Sequence, residues 1–545
     1  MNNKINRRKF IFNTSILGAG ILAAPAFLSS CDFYKKKTAI SDANNAAIGH
    51  LLRTGKFPEP TDEVVIPALI LGGGVSGLSA ARHLLKKGFD QFHLLELDER
   101  LGGNSSSRSN DISAYPLGAH YLPVASNHNK ELLLFLEENG IITKYDENGR
   151  PYYNEEYLCA EPEERLFCNG IWQEGIIPMV AQSEADTLEF RRFLEIMNKY
   201  KWEKDDEGKY AFDLPLEFSS TNQVYTKLDS ISMTSWLSEN GFKSESLKWY
   251  VDYCCKDDFG TRIDDTSAWA GIHYFAARKA IAANAQSDDV LTWPEGNAFL
   301  VRCLSNAIPQ DKIKTSQIVY SISKTEEGFE VLCYDIKKQQ SKRIATQQII
   351  NALPLFVHRK MRGDISKTIA DCATNVSYAP WLVANLSVSN QLQERHGVKM
   401  SWDNVIMNDQ SLGYVNSCHQ LPNMKPTQLV LTYYRPLSGS DAKAERMRAY
   451  ETPNEEWAKN IFEELKVVHP DIEEHTSAIE IKLWGHAMPR PVMNAIWRDR
   501  PVRNSILGEI KNVYFAHCDH GGISVFEEAF HQGLIAAEAL LNKRQ

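Results

Sequence analysis

The sequence lacks several patterns that would point to common function classes. Its ten cysteines include no C-x-x-C pair, which argues against a zinc site and a disulfide framework. It has no Gly-x-Ser-x-Gly motif, which would indicate a hydrolase nucleophile, and no internal repeat. No apolar run is long and uninterrupted enough for a membrane span. We therefore expect no metal centre, and we expect most cysteines to be buried thiols.

The chain also has no excess of positive charge. Its formal charge is −9 over 545 residues, and residues 1–30 carry four basic and no acidic side chains, so the remainder is more acidic still. An acidic body repels the phosphate backbone of nucleic acids and favours neutral or cationic small molecules as ligands. The length is sufficient for about three domains or two large interleaved ones.

The N-terminus has the composition of an export signal. Arg7 and Arg8 precede a moderately apolar run over residues 16–28, a pattern that resembles a twin-arginine signal. Residues 28–31 resemble a bacterial lipobox ending in Cys31; a plain signal with an incidental cysteine is the alternative. We expect an exported protein of the periplasm or cell envelope, which uses the twin-arginine machinery and contacts the membrane only through lipid at Cys31. That route carries folded proteins, which points to a tightly bound cofactor.

A strand, a glycine turn and a helix follow each other near residue 70. Residues 68–71 form a continuous apolar run, residues 75–87 have helical periodicity, and Glu96 ends the next predicted strand. The turn between them reads G-x-G-x-x-G, which in this context predicts dinucleotide binding. Its glycines permit the tight turn, the approach of a pyrophosphate and close helix packing, in the order Gly72, Gly74 and Gly77. The helix N-terminus would attract the phosphates, and Glu96 would bind a ribose.

The residues after Glu96 distinguish between dinucleotides. The stretch over 96–103 reads E-x-x-x-R-x-G-G, with Arg100, Gly102 and Gly103 at its defined positions. Here the chain resembles the glutathione-reductase-type FAD-binding proteins, specifically the superfamily of flavin amine oxidases, protoporphyrinogen oxidases and phytoene desaturases. In that superfamily the stretch wraps the far side of the FAD pyrophosphate. The resemblance implies FAD as the cofactor.

Later stretches resemble other FAD motifs of the same superfamily. Residues 116–121 resemble the step under the flavin ring, 318–322 the strand whose valine backbone holds adenine, and 514–519 the motif whose acid meets the ribityl chain or pyrophosphate. The helix that starts at Val525 would face the flavin C2 carbonyl, and its dipole would stabilise negative charge there. The implied FAD-binding residues are Gly72, Gly74, Val75, Ser76, Gly77, Glu96, Arg100, Gly102, Gly103, Asn104, Gly118, Ala119, His120, Val319, Asp519 and Val525.

The chain departs from the superfamily pattern in several places. His517 and Glu528 replace glycines, and Asn104 stands where many members have an arginine. The strand over 378–385 lacks the lysine that amine oxidases place beside flavin N5, which predicts slow reaction with oxygen. Residues 484–489 contain no cysteine where covalent members have one, so the resemblance implies non-covalent FAD.

The substrate half gives only weak candidates. His120, His486 and His520 lie in stretches that the resemblance brings near the flavin, where a histidine could act as a base or orient a substrate. Singly, each is more often a packing residue. Four aromatic residues could wall a pocket suited to a cation or a flat ring, although isolated aromatics in strands are more often core. They are Trp381, Tyr414, Tyr433 and Trp484.

Together these features predict an α/β fold, in which a glutathione-reductase-type, Rossmann-like FAD-binding domain is interleaved with a mixed-sheet and helical substrate domain. We expect a signal with lipobox over 1–31, a linker over 32–62, FAD-binding segments over 63–159, 286–375 and 496–545, a helical substrate-domain part over 160–285 and its sheet over 376–495.

The predicted function is that of an amine-oxidase-like FAD oxidoreductase. It would remove a hydride from a C–N or C–C bond of a small substrate and pass electrons to oxygen, a quinone or a protein. One alternative is a dehydrogenase similar to protoporphyrinogen oxidase or phytoene desaturase, with an acceptor other than oxygen, which the missing lysine favours. The other is a non-catalytic carrier or escort protein on the same fold, against which the intact glycine motif and Glu96 argue.

Overall fold

The computed structural model describes residues 38–180, 182–407, 410–422 and 426–542. The predicted export signal and Cys31 lie outside the described residues. Within the described ranges, no helix has both the length and the apolar character needed to cross a bilayer. All nine cysteines in these ranges are free thiols, most of them buried, as the sequence predicts.

A five-stranded parallel sheet forms the centre of one half of the molecule. Its strands lie in the order Ile313–Lys314, Phe92–Leu95, Ala68–Leu71, Gln348–Asn351 and Val513–Phe515. Alternate residues of the Ala68–Leu71 strand enter two different cores: Ile70 packs under helices, and Leu69 packs toward a second sheet. Because both faces of the sheet are covered, the strand is apolar throughout.

Helices and a second sheet cover this parallel sheet. Helix Val75–Lys86 and the last described helix, Phe526–Asn542, pack against one face. A Cβ at Gly533 would lie 2.2 Å from the carbonyl oxygen of Ser76, so the two helices approach too closely for any other residue there. The second sheet lies toward the other face. Its strands follow the order Gln317–Lys324, Phe329–Asp335, Gln340–Thr346 and Asp62–Val65.

An eight-stranded mixed sheet dominates the other half. Its strands lie in the order Ala39–Asp42, Thr476–Pro489, Tyr378–Ser389, Gln428–Pro436, Gly413–Asn416, Asp403–Ile406, Glu164–Cys168 and Ile171–Glu174. The face that carries Trp381 and Val383 joins the core of the helical region. The face that carries Leu382 and Ala384 packs with helix Asn454–Leu465. We call these the inner and the outer face.

The α-helices of the described residues are Ala46–Thr54, Val75–Lys86, Lys130–Glu138, Glu184–Trp202, Gln223–Thr226, Met233–Glu239, Glu245–Phe259, Ala268–Ala276, Ala298–Asn306, Asp364–Cys372, Ala442–Glu451, Asn454–Leu465, Ile472–His475, Arg500–Gly508, Cys518–Gly521 and Phe526–Asn542. The remaining strands form two-stranded ribbons: Tyr121–Pro123 with Val290–Thr292, Ser107–Ser109 with Ala114–Pro116, and Ile142–Tyr145 with Pro151–Tyr153. The strand–turn–helix unit predicted near residue 70 is confirmed within one or two residues at each boundary.

The linker predicted over 32–62 needs correction where the structure describes it. Residues 39–42 add a parallel edge strand to the large sheet, in register with residues 478–481. Helix Ala46–Thr54 follows, and Phe57 stacks on Tyr320 at 4.3 Å between ring centroids. The polar composition of this stretch suggests a tether, but its backbone groups complete the sheet edge instead. The folded body therefore begins by residue 39 rather than near Glu63.

Candidate active site

Two glycines of the turn after strand Ala68–Leu71 differ in the space that surrounds them. A Cβ at Gly77 would lie 1.9 Å from the carbonyl oxygen of Gly72, so a side chain there would disrupt the turn itself. At Gly74, by contrast, no heavy atom of the described chain beyond the immediate neighbours lies within 4 Å of such a Cβ. Gly74 is also the N-cap of helix Val75–Lys86, with extended backbone. The turn thus leaves an open space at the positive end of a helix.

The stretch after Glu96 forms the second wall of this space. The Gly102 N–H donates to the Gly73 carbonyl oxygen at 2.8 Å, and Gly74 and Gly102 form a parallel bridge. Gly102 has φ of +113°, a conformation that favours glycine. The guanidinium of Arg100 donates to the carbonyl oxygen of Ser107 at 3.0 Å.

Glu96 lies directly under the turn. Its carboxylate accepts hydrogen bonds from the Gly73 N–H at 2.6 Å and from the Asp98 N–H at 2.8 Å. Burial raises the pKa of Glu96 to about 7, against the effect of the two N–H donors, which lower it. The carboxylate is therefore held at the turn and titrates near neutral pH.

The step predicted under the flavin ring connects the two halves of the molecule. The Ala119 N–H donates to the Asn104 carbonyl oxygen at 2.9 Å, and a Cβ at Gly118 would lie 2.3 Å from that oxygen. The Asn104 amide donates to the carbonyl oxygen of Ala487 in the large sheet. Asn104 therefore joins the predicted pyrophosphate region to the substrate half.

Three further predicted cofactor residues lie on separate elements. The register of the strand pairing shifts between Val319 and Ser321, immediately after the residue whose backbone is predicted to hold adenine. Val525 immediately precedes helix Phe526–Asn542, whose first N–H groups have no partner within the helix. Asp519 lies beyond the C-terminal edge of the parallel sheet, after strand Val513–Phe515.

Asp519 is fully enclosed and strongly bonded. Its Oδ2 accepts from the Tyr378 hydroxyl at 2.6 Å and from the Leu355 N–H at 2.8 Å, and His517 Nδ1 lies 3.2 Å from Oδ1. Burial alone would raise the pKa of Asp519, but His517 and these donors hold it below its ordinary value. The same contact raises the pKa of His517, against the lowering by burial. The histidine that replaces a glycine in the motif thus forms an ion pair with the motif's acid.

The three candidate histidines do not form one cluster. The His120 ring lies 4.4 Å from that of Tyr434 and 5.7 Å from that of Trp402, and burial lowers the pKa of His120 to about 4. His486 stacks on Phe356 at 4.0 Å, and burial, followed by Arg446, lowers its pKa to about 3. The third, His520, bonds to Asn504 of helix Arg500–Gly508. All three are neutral near pH 7, and only His120 faces the helical region.

Two of the four predicted pocket aromatics lie on the inner face of the large sheet. Trp381 and Trp484 are paired across neighbouring strands, and the Trp484 indole donates to the Leu117 carbonyl oxygen at 2.6 Å. Tyr414 and Tyr433 lie on the outer face, where their hydroxyls bond to His469 and Glu464 at 2.6 Å each.

The prediction of a pocket role for those two tyrosines therefore needs correction. Strand residues alternate between faces, so the neighbour Tyr434, not Tyr433, points to the inner face. Its hydroxyl donates to the Gly118 carbonyl oxygen at 3.0 Å.

A group of carboxylates that sequence reasoning missed lies beside Tyr121, the residue after His120. The Tyr121 hydroxyl donates to Asp257 at 3.1 Å, and the Tyr253 hydroxyl donates to Asp403 at 3.4 Å. Burial and the neighbouring Asp258 raise the pKa of Asp257, and burial, Asp257 and Glu164 raise that of Asp403. We call Glu164, Asp257, Asp258 and Asp403 the acidic cluster.

Asp258 alone among these carboxylates has a cationic partner in the described residues. It lies 3.2 Å from the guanidinium of Arg278. Asp257 and Asp258 end helix Glu245–Phe259, where the helix dipole disfavours negative charge. Two acids just before the helix-ending Gly260 are the sequence signal that could have revealed the cluster.

A lysine lies across from the strand that lacks one. Lys482 is paired in register with Val383, on the neighbouring strand and on the same face. Its ammonium donates to Asn45 Oδ1 at 2.9 Å and to the Ala43 carbonyl oxygen at 3.2 Å, and it lies 4.4 Å from the Trp484 ring centroid. Burial lowers the pKa of Lys482 to about 8. The Lys482 ammonium is thus bound by hydrogen-bond acceptors of residues 43–45.

The family model of flavin-containing amine oxidoreductases matches residues 75–541 of this chain. The chain belongs to this family. It is an FAD-dependent oxidoreductase, with the mixed α/β fold predicted from the sequence, and the prediction of FAD is confirmed.

Solved structures of this fold include two amine oxidases. Wild-type putrescine oxidase bound to putrescine is 16% identical, with a TM-score of 0.61, over 88% of this chain and 100% of that chain. Cyclohexylamine oxidase from Brevibacterium oxydans is 15% identical, with a TM-score of 0.60, over 88% and 99%. A candidate protoporphyrinogen oxidase from Exiguobacterium sp. is 12% identical, with a TM-score of 0.56, over 90% and 100%. At these identities the likeness establishes the fold alone.

The residues of this flavin oxidoreductase fit the cofactor. The space over Gly74 is open to a pyrophosphate, Glu96 carries a carboxylate for the ribose, and helix Phe526–Asn542 begins at the residues predicted to face the flavin ring. When bound, FAD supplies the hydride acceptor.

Proposed function

We propose that this enzyme oxidises a C–N bond of a small cationic amine. The observation that carries the proposal is the acidic cluster beside Tyr121, in a region walled by aromatic rings. Ion-pair attraction to carboxylates and cation–π attraction to aromatic rings both favour a ligand with a positive charge.

The placement of the cluster supports this reading. Tyr121, which donates to Asp257, directly follows His120 in the step predicted to pass the flavin ring. The Tyr121 and Trp402 rings meet edge to face at 6.0 Å, and the His120 ring lies 5.7 Å from that of Trp402. Asp257 and Asp403 are only partly covered by protein, unlike the core residues around them. A cation held by these carboxylates would therefore lie near the predicted flavin face.

The chain's own residues would prepare the substrate for oxidation. An ammonium group has no free electron pair, so it must lose a proton before its neighbouring C–H bond can give up a hydride. Asp257 Oδ2 is placed to accept that proton, because its raised pKa lets it exist in both protonation states near neutral pH. The rings of Tyr434, Trp402 and Trp381 would exclude water and orient the carbon chain.

A second candidate is a dehydrogenase similar to protoporphyrinogen oxidase or phytoene desaturase, which oxidises a C–C bond. The absence of lysine from residues 378–385 supports it, since a cation beside the flavin assists oxygen reduction. Either reading includes non-covalent FAD and an acceptor that is oxygen, a quinone or a protein. Precipitation of the protein with acid should release all of the flavin into the supernatant; flavin left in the pellet would show covalent attachment.

Anaerobic mixing distinguishes the two candidates. Purified protein should be yellow, with flavin absorbance near ~450 nm. Diamines and polyamines should bleach that absorbance within seconds, whereas polyenes and porphyrinogens should leave it unchanged. Bleaching by a polyene alone would replace the proposal with the desaturase reading. A colourless protein that binds no added FAD would favour the carrier.

We also propose that the enzyme is exported folded and held at the cell envelope by lipid on Cys31. Arg7→Lys combined with Arg8→Lys should leave active, flavin-loaded enzyme in the cytoplasm, because the two arginines are the part of the signal that the export machinery recognises. Cys31→Ala should release soluble enzyme outside the cytoplasm, because the lipid is the anchor. Membrane association that survives Cys31→Ala would place the anchor elsewhere.

A further inference from the structure

The segment over residues 39–57, here called the N-terminal strap, crosses from the large sheet to the cofactor half. Its strand pairs with the edge of the large sheet, the Ala43 N–H donates to Ile481 O at 2.9 Å, and Asn44 Oδ1 accepts from the Leu483 N–H at 2.6 Å. At its other end, Phe57 stacks on Tyr320, one residue past the predicted adenine contact Val319. The strap thus touches both domains.

Asn45 lies between a carboxylate and an ammonium. Its Nδ2 donates to Asp98, and its Oδ1 accepts from Lys482 Nζ at 2.9 Å. An amide satisfies both partners in one orientation only, since its nitrogen donates and its oxygen accepts. Asp98 belongs to the cofactor half and Lys482 to the large sheet, so this side chain joins the two domains directly.

The bridge ends at the predicted ribose site. The Asp98 N–H donates to Glu96 Oε1 at 2.8 Å, and the Asp98 carbonyl oxygen accepts from the Ser316 N–H at 3.0 Å. Asp98 therefore lies between Glu96 and the strand that carries Val319. Movement of Asn45 would release Asp98, which in turn helps to position the Glu96 carboxylate.

We propose that the N-terminal strap closes the adenosine end of the FAD site. Asn45 is the positioning residue that keeps the strap in this closed position. FAD can leave only when the strap separates from Asp98, so the strap sets the rate of cofactor release. Because this concerns the cofactor alone, it is independent of the substrate proposed above.

The rate at which FAD leaves the full-length holoenzyme tests this role of Asn45. FAD fluorescence rises when the cofactor leaves the protein, so dilution of the holoenzyme into flavin-free buffer gives the release rate. Asn45→Ala removes hydrogen bonds to two charged groups and should speed release by about tenfold. Asn390→Ala is the matched control: its amide bonds to the Pro426 carbonyl oxygen, away from both domains' contact, and its release rate should equal that of the wild type.

A charge swap provides the decisive comparison. Asn45→Asp places a carboxylate against Asp98, so release should be fast at low ionic strength and slower in salt. Asn45→Asp combined with Asp98→Asn restores an amide–carboxylate pair and should return the release rate to within about twofold of wild type. Equal release rates in all variants, or a swap that fails to restore the rate, would overturn the proposal.

Limited proteolysis keeps the proposal testable if a variant does not fold. FAD added to wild-type apoprotein should slow cleavage within residues 39–57 by several-fold, with fragments identified by mass. Cleavage there that proceeds equally with and without FAD would also overturn it.

Discussion

The two halves of this enzyme specify their sites in different ways. In the cofactor half, main-chain groups and glycines of residues 72–77 and 102–103 shape the space, so a short local motif contains most of the information. In the substrate half, the acidic cluster combines carboxylates from a helix end and two strands of the large sheet. A site formed by the main chain of one short motif can be predicted from the sequence. A site formed by side chains that are distant in the sequence cannot, because only folding brings them together.

The largest expected effect comes from filling the open glycine position. Gly74→Val should give folded protein without flavin, because the added Cβ has no protein atom in contact and the side chain occupies the predicted pyrophosphate space. Gly77→Ala should instead prevent folding, because its Cβ would collide with the Gly72 carbonyl oxygen. Flavin absorbance and circular dichroism of both variants measure this. Full flavin content in Gly74→Val would refute the assignment of the cradle.

A substitution in the substrate half should slow oxidation of the substrate without loss of FAD. Asp257→Asn keeps the hydrogen-bonding shape but removes the charge, so flavin content should be normal and anaerobic reduction by a diamine should slow by about 100-fold. Reduction by the wild type should accelerate as pH rises through the elevated pKa of Asp257, since only the carboxylate accepts a proton. Stopped-flow absorbance across a pH series checks both. Asp403→Asn is the companion variant, and an unchanged pH profile in Asp257→Asn would assign the proton to another group.

Glu96 should control FAD affinity in a pH-dependent manner. Glu96→Gln removes a charged acceptor, and hydrogen bonds to charged groups contribute about 1.5–3 kcal/mol, so affinity should fall by about 10- to 100-fold. In wild-type apoprotein the pKa near 7 means that ribose binding to the ionised form releases a proton. Affinity should therefore rise with pH up to about 7 and level off above it. Fluorescence titration measures this, and a pH-independent affinity in the wild type would remove Glu96 from the ribose site.

The smallest effect concerns the electron acceptor. Residues 43–45 hold the Lys482 ammonium, so we expect Lys482→Met to change reoxidation by oxygen less than about threefold. Photoreduced wild type should react faster with a soluble quinone than with air-saturated buffer, because no lysine occupies residues 378–385. Stopped-flow mixing compares the two acceptors. Reoxidation by oxygen that is fast in the wild type and collapses in Lys482→Met would make this lysine the functional cation.

The cofactor half and the substrate half also differ in how much could be predicted from the sequence. The strand–turn–helix unit and the cofactor were predictable because Gly72, Gly74 and Gly77 meet local steric demands. The choice between Tyr433 and Tyr434 was not, since a shift of one residue along a strand reverses the face. The edge strand over residues 39–42 was missed because its partner, the strand Thr476–Pro489, lies more than 430 positions away.

The contact between Gly533 and Ser76 has a consequence for the order of events during synthesis. Helix Val75–Lys86 opens the cofactor site, yet it packs against helix Phe526–Asn542, more than 400 positions later in the chain. The strand Val513–Phe515 must likewise arrive before the parallel sheet is complete. The FAD site therefore cannot reach its packed form until the strand over 513–515 and the helix that carries Gly533 have been synthesised. Stable cofactor loading must follow the synthesis of these residues, and a chain truncated before residue 533 should never retain flavin.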